Sequence, residues 1–190
     1  MKEERVIRWL GVICFVAGIS RMGMTPSSLI WGTDSRPELI CGLIASILMS
    51  IGTIVFYLVQ SKETRKVGLV TVIAMILGNV ATVVMIGAML GSMQAEGVVF
   101  MVMRLFALVG LTGGTLAFTF ITFRAKRFPK WIPALLILML VSMVLPVEDN
   151  KYFAFFWGLA YVGMGYVIVA SKLKPTTSLP ASYRSQNIKL

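Results

Sequence analysis

Six apolar runs separated by short polar segments set the pattern of this chain, at about residues 6–24, 38–60, 67–90, 98–123, 131–145 and 152–171. Where polar or small residues interrupt the runs they recur at helical spacing, not in the alternation of a strand. In the second run Gly42, Ser46, Ser50, Thr53, Tyr57 and Gln60 keep to one narrow stripe. The third places Thr71, Gly78, Asn79 and Thr82 on one face and ends in Gly87-x-x-x-Gly91. In the fourth, a turn of about 100° per residue puts Arg104, Thr115 and Thr122 on one line, with Thr112 and Thr119 on the same side. Gly110, Gly113 and Gly114 fall on its other face, so this helix is expected inside a bundle, contacted from two directions. The fifth run carries only Ser142 as a polar residue, and the sixth stacks Ala154, Gly158, Tyr161 and Gly165.

The connections differ in character. Residues 25–37, with Pro26, Trp31, Gly32, Asp34 and Pro37, are expected to form the longest non-helical link. Ser61-Lys62-Glu63-Thr64-Arg65-Lys66 is a short basic turn, 91–97 contains Glu96 and no cation, and Glu148 and Asp149 make the turn at 146–151 acidic. Lys2, Arg5 and Arg8 ahead of the first run resemble the start of a signal peptide. No small-x-small cleavage site follows, so an uncleaved first helix is expected. From 172 to 190 the composition turns to Ser, Thr, Pro, Lys and Asn without apolar period, as in a disordered cytoplasmic tail.

A chain of 190 residues that is 57% hydrophobic, with a mean hydropathy of +0.86, is too apolar for a soluble domain and is expected in a membrane. That changes the meaning of its net charge of +10, which in a soluble protein would suggest nucleic acid. The cations sort by position: Lys and Arg crowd the N-terminus, the turns at 61–66 and 124–130 and the tail, leaving only Arg21, Arg36, Arg104 and Lys151 elsewhere. Asp34, Glu38, Glu96, Glu148 and Asp149 fall on the opposite side. The expected fold class is therefore all-α, an integral bundle of six transmembrane helices in a bacterial plasma membrane, with N and C termini cytoplasmic. A division into three plus three helices would invert the halves, the layout of many transporters.

Two constellations are candidates for function. Arg21, Arg104, Glu38 and Glu96, with Asp34, share the outer layer, and arginines there suit a small anionic solute. The same residues would also make structural ion pairs or reach the outer headgroups. Below them Ser46, Ser50, Thr53, Tyr57, Asn79, Thr82, Thr112, Thr115 and Thr119 form a polar seam of helices 2 to 4. Such a seam either lines a wet cleft or is spent on hydrogen bonds within and between helices. Asn79 is the least expected to be idle, since a bare amide is costly in lipid. Histidine is absent, and no lysine or pair of acids sits within an apolar run, so no catalytic group, cofactor or metal site is expected. Cys14 and Cys41 fall at different depths, which argues against a disulfide. The expected function is binding or transport of a small solute through an outward-facing polar pocket, with other membrane subunits as partners. The alternative is a sensor or regulatory partner acting through helix packing, without a solute.

Arg124, Lys126, Arg127, Lys130 and Trp131 are expected to anchor the chain at the inner headgroups, with Pro129 ending helix 4. Arg127-Phe128-Pro129-Lys130-Trp131, together with Gly11-Val12 and Ala17-Gly18 in helix 1, resembles a group of uncharacterised bacterial six-helix membrane proteins that carry a basic-x-Pro-basic-Trp turn. The resemblance implies the six-helix fold and carries no activity.

Overall fold

The computed structural model describes residues 2–91, 97–144 and 152–174, and every element among them is helical. In order these are α1 (Lys2–Trp31), α2 (Arg36–Leu90), α3 (Val98–Leu108), a π-helical turn (Val109–Gly113), α4 (Gly114–Ala125), α5 (Trp131–Val144) and α6 (Tyr152–Val169). Four stretches among them are long and apolar enough to cross a membrane: Glu3–Trp31, Arg36–Leu90, Val98–Ala125 and Tyr152–Val169. A fifth, Trp131–Met143, is apolar but shorter. Glu96, most of the 91–97 link, the acidic turn and residues 175–190 lie outside the described residues.

Two links expected from the sequence are helical. α1 continues through 25–31 with Pro26 inside it. Thr25, Ser27 and Ser28 around Pro26 are all buried, with Ser27 Oγ facing Cys41 Sγ of α2 at 4.0 Å, so the proline sits in a helix packed against its neighbours, where such residues are tolerated. At 61–66 the helix persists until a single residue, Arg65, leaves helical geometry at φ 49°, ψ −134°. A straight helix of 55 residues would be about 80 Å long, more than twice a bilayer's hydrocarbon core. The break folds α2 into two antiparallel arms, 36–64 and 66–90, with Gly42 of the first beside Ile86 of the second.

On the first arm of α2 most small and polar residues turn inward and the isoleucines turn outward. On the first arm Ile40, Ile44, Ile47, Ile51, Ile54 and Leu58 are exposed, while Gly42, Ala45, Ser46, Met49, Gly52 and Thr53 are buried. Positions 11, 14, 18, 21, 25 and 28 form the buried face of α1. It packs on α6 through two glycine pairs spaced seven residues apart. A Cβ on Gly18 would lie 2.5 Å from the Gly158 carbonyl oxygen, and one on Gly165 would lie 2.8 Å from that of Gly11. Backbones this close exclude any side chain at the crossing. On its other side α1 meets the first arm of α2, where a Cβ on Gly52 would stand 3.0 Å from the Cys14 Cα.

The centre of the bundle is aromatic. The Phe56 ring lies 5.1 Å from Phe118 of α4 and 5.2 Å from Tyr161 of α6. The Tyr161 hydroxyl is hydrogen bonded to Thr53 Oγ1 at 2.9 Å. Ile132, Leu136 and Met139 turn the buried face of α5 toward the same core. Cys14 and Cys41 are free thiols, and Cys14 Sγ donates to the Tyr161 carbonyl at 3.5 Å.

Candidate functional site

The site begins with a run of glycines. Gly110 lies against the second arm of α2, where a Cβ would come within 2.7 Å of the Ala74 carbonyl, and Gly114 lies against Met75. Three glycines in the five residues Gly110-Leu111-Thr112-Gly113-Gly114 hold the α-helical turn weakly. The backbone widens there into the π turn Val109–Gly113. A regular angular count fails across such a turn. Arg104 is consequently exposed, whereas Thr115 and Thr122, expected on the same line, are buried.

Next to the π turn is a cavity of about 200 Å³. Its wall includes Thr112 and Thr115, Met139 and Met143 of α5, and Trp157 of α6, with Arg104 at the end where α3 and α6 begin. It thus lies between the α3–α4 run, α5 and α6, and not in the expected cleft of helices 2 to 4. The wall is almost wholly apolar: Thr112 Oγ1 points to Met143 Sδ at 3.6 Å. Thr115 Oγ1 and the Trp157 indole nitrogen are buried with no hydrogen-bond partner among the described residues. Among the described residues Arg104 makes no hydrogen bond or ion pair.

Arg21 and Arg104 do not share one open layer. Arg21 is 93% buried, with its guanidinium carbon 4.2 Å from the centre of the Trp157 ring. Its Nε has no hydrogen-bond partner among the described residues. The indole therefore joins the two arginines indirectly, as cation platform for Arg21 and as wall of the cavity that Arg104 borders. Glu38 sits in the first turn of α2, half-buried, and its Oε2 accepts the Asp34 backbone N–H at 2.7 Å. That contact closes the helix start much as a capping box does. Asp34 itself is exposed.

The polar seam is largely spent on its own helices. Ser50 donates to the Ser46 carbonyl, Thr53 to Met49, Asn79 to Met75 at 3.0 Å, Thr82 to Gly78 and Thr119 to Thr115. Asn79 is thus a buried, locally paired amide and lies away from the cavity. Of the seam, only Thr112 and Thr115 reach the cavity wall.

At the opposite, basic end the five expected anchor residues divide. Arg124, Lys126 and Lys130 are exposed. Trp131 is partly exposed and leans on Gly163, where a Cβ would meet its ring at 2.7 Å. Arg127 is a clamp. Its Nε donates to the Val59 carbonyl at 3.1 Å and lies 3.8 Å from Glu63. Its Nη1 donates to the Lys174 carbonyl, and the Lys174 N–H donates to the Arg127 carbonyl at 2.8 Å. The residue that sequence inspection passed over is Trp157. The signal was present: it lies one turn from Ala154 and Tyr161 on the small-residue stripe of α6. No family model, curated protein or solved structure matches this chain.

Proposed function

We propose that the chain spans a bacterial plasma membrane six times, both ends cytoplasmic. There it binds a small amphiphile with an anionic group, without catalysis, as a binding or transport protein or a subunit of a larger complex. The outward isoleucine face of α2 supports residence in lipid, since an apolar surface of this extent is foreign to soluble monomers. The six helical runs, counting each arm of α2, alternate in direction so that the basic turns gather at one end. α5, at 14 residues, spans about 21 Å and would need a thinned bilayer or its flanking residues to cross.

The observation that carries the ligand reading is an apolar cavity with, at its edge, an arginine that has no partner among the described residues. Its 200 Å³ exceed the ~150 Å³ of a dry cavity known to take benzene, so a ring with a short acidic arm is a fitting probe. In nanodiscs the protein is expected to bind 4-phenylbutyrate and not the neutral 4-phenylbutanol. Arg104→Ala should weaken phenylbutyrate roughly tenfold or more, the worth of one charge-assisted contact, with the unliganded Tm unchanged. Equal binding of acid and alcohol, or no effect of Arg104→Ala, removes Arg104 from the site.

A second reading rests on α3, none of whose 11 residues is buried. In that reading α3 is the docking face for a helix of another membrane protein, and copurification with a stoichiometric partner lost in Leu105→Ala/Leu108→Ala would favour it.

A further inference from the structure

At the basic end two openings adjoin. One is a recess of about 590 Å³ between the break in α2 and the end of α4, lined by Glu63, Thr64, Val67, Arg124 and Lys126 together with Phe120. The other is an apolar groove of about 860 Å³ between α4 and α5, lined by Leu116, Phe123, Ile137, Leu140 and again Phe120. Phe120 stands on the ridge between them, 66% exposed. The charges in the recess do not cancel. Glu63 faces Arg127, which is fastened to Val59 and Lys174, leaving Arg124 and Lys126 exposed and without an ion pair among the described residues. Lys126 is set apart from the helix by its left-handed backbone, φ 54°, which ends α4.

From these features we propose that recess and groove together bind one anionic phospholipid, its phosphate on Arg124 and Lys126 and its acyl chains in the groove beneath Phe120. Length supports this occupant. From Lys126 to Leu116 is ten residues, about 15 Å of helix, which is half of a ~30 Å hydrocarbon core and so the reach of one leaflet. Chemistry supports it as well: the recess offers cations where a headgroup would lie, and the groove below offers only apolar side chains save Thr119. Thr119 donates to its own helix. The site rests on the membrane-spanning reading and is independent of the cavity at Arg104.

Native mass spectrometry of the full chain, titrated with phosphatidylglycerol or with phosphatidylcholine of the same acyl chains, tests it. Phosphatidylglycerol should bind with defined stoichiometry and phosphatidylcholine weakly. The exposed-residue variant Arg124→Gln/Lys126→Gln should lose roughly thirty-fold in affinity. Arg65→Gln/Lys130→Gln, which removes equal charge from the same end, should lose less than about threefold, as expected of diffuse surface charge. Equal losses in both variants, equal binding of the two lipids, or competition by glycerol 3-phosphate as strong as by the lipid would each overturn the proposal. Resistance of the chain to carbonate extraction from membranes checks the spanning reading separately.

Discussion

The two flanks of the bundle are built on opposite terms. Where α1 meets α6 and the first arm of α2, glycines bring backbones into contact, and the space on this flank lies beside the crossing, between Val12, Phe15, Tyr166 and Val169. Where the α3–α4 run meets α5 and α6 there is a π turn, a cavity, and an α3 with no buried residue. In lipid an apolar side chain gains little by leaving its surroundings for the interior, so close packing and hydrogen bonds hold helices together. Closeness of approach thus distinguishes a scaffold from a site. The tight flank holds Trp157 beneath Arg21, and the other side of the same buried ring forms part of the cavity wall on the loose flank.

The largest effect that would sharpen this contrast comes from the glycines. Gly18→Leu should cost about 3 kcal/mol or more, lowering Tm by roughly 6–12 °C, because its Cβ would meet the α6 backbone. Gly113→Leu, with nothing within 4 Å of its Cβ, should cost nothing. Comparable losses at the two positions in thermal unfolding would abolish the distinction. A middle-sized effect is expected at Arg21→Lys, which keeps the charge but gives up the flat stacking on Trp157. It should cost about 1–2 kcal/mol, and an unchanged Tm would mean that the stack is incidental. The smallest concerns two buried threonines. Thr53→Val leaves the Tyr161 hydroxyl without its side-chain partner and should cost about 1 kcal/mol, whereas Thr115→Val deletes a hydroxyl with no partner among the described residues and should be neutral or stabilising. If both lose alike, Thr115 has a partner and the cavity wall is not dry.

The helical class was legible because apolar runs with small and polar residues at helical spacing have few other solutions, and the stripe of Gly158 and Gly165 is the face that packs on α1. Pro26 misled because proline usually ends a helix in water, whereas α1 continues through it with Thr25, Ser27 and Ser28 buried alongside. The candidate site was half legible. Arg104 and Thr115 both border the cavity, but the π turn between them breaks the regular count of residues per turn, and the approach of Gly110 to Gly78 and Ala74, some thirty residues away, does not show in local spacing. Asn79 and most of the seam found partners one turn back along their own helices. That outcome cannot be told from a wet seam by spacing alone.

The pairing of Gly18 with Gly158 also sets a clock. The partners are about 140 residues apart, and at a synthesis rate of roughly 5–20 residues per second the first helix waits about 7 to 28 s for the last to emerge. During that interval α1 can lean only on the first arm of α2, through Gly52 and Cys14. In the membrane-spanning reading proposed above, its glycine face stays open meanwhile to any other helix in the bilayer, so completion of this fold is a race between the ribosome and wrong neighbours.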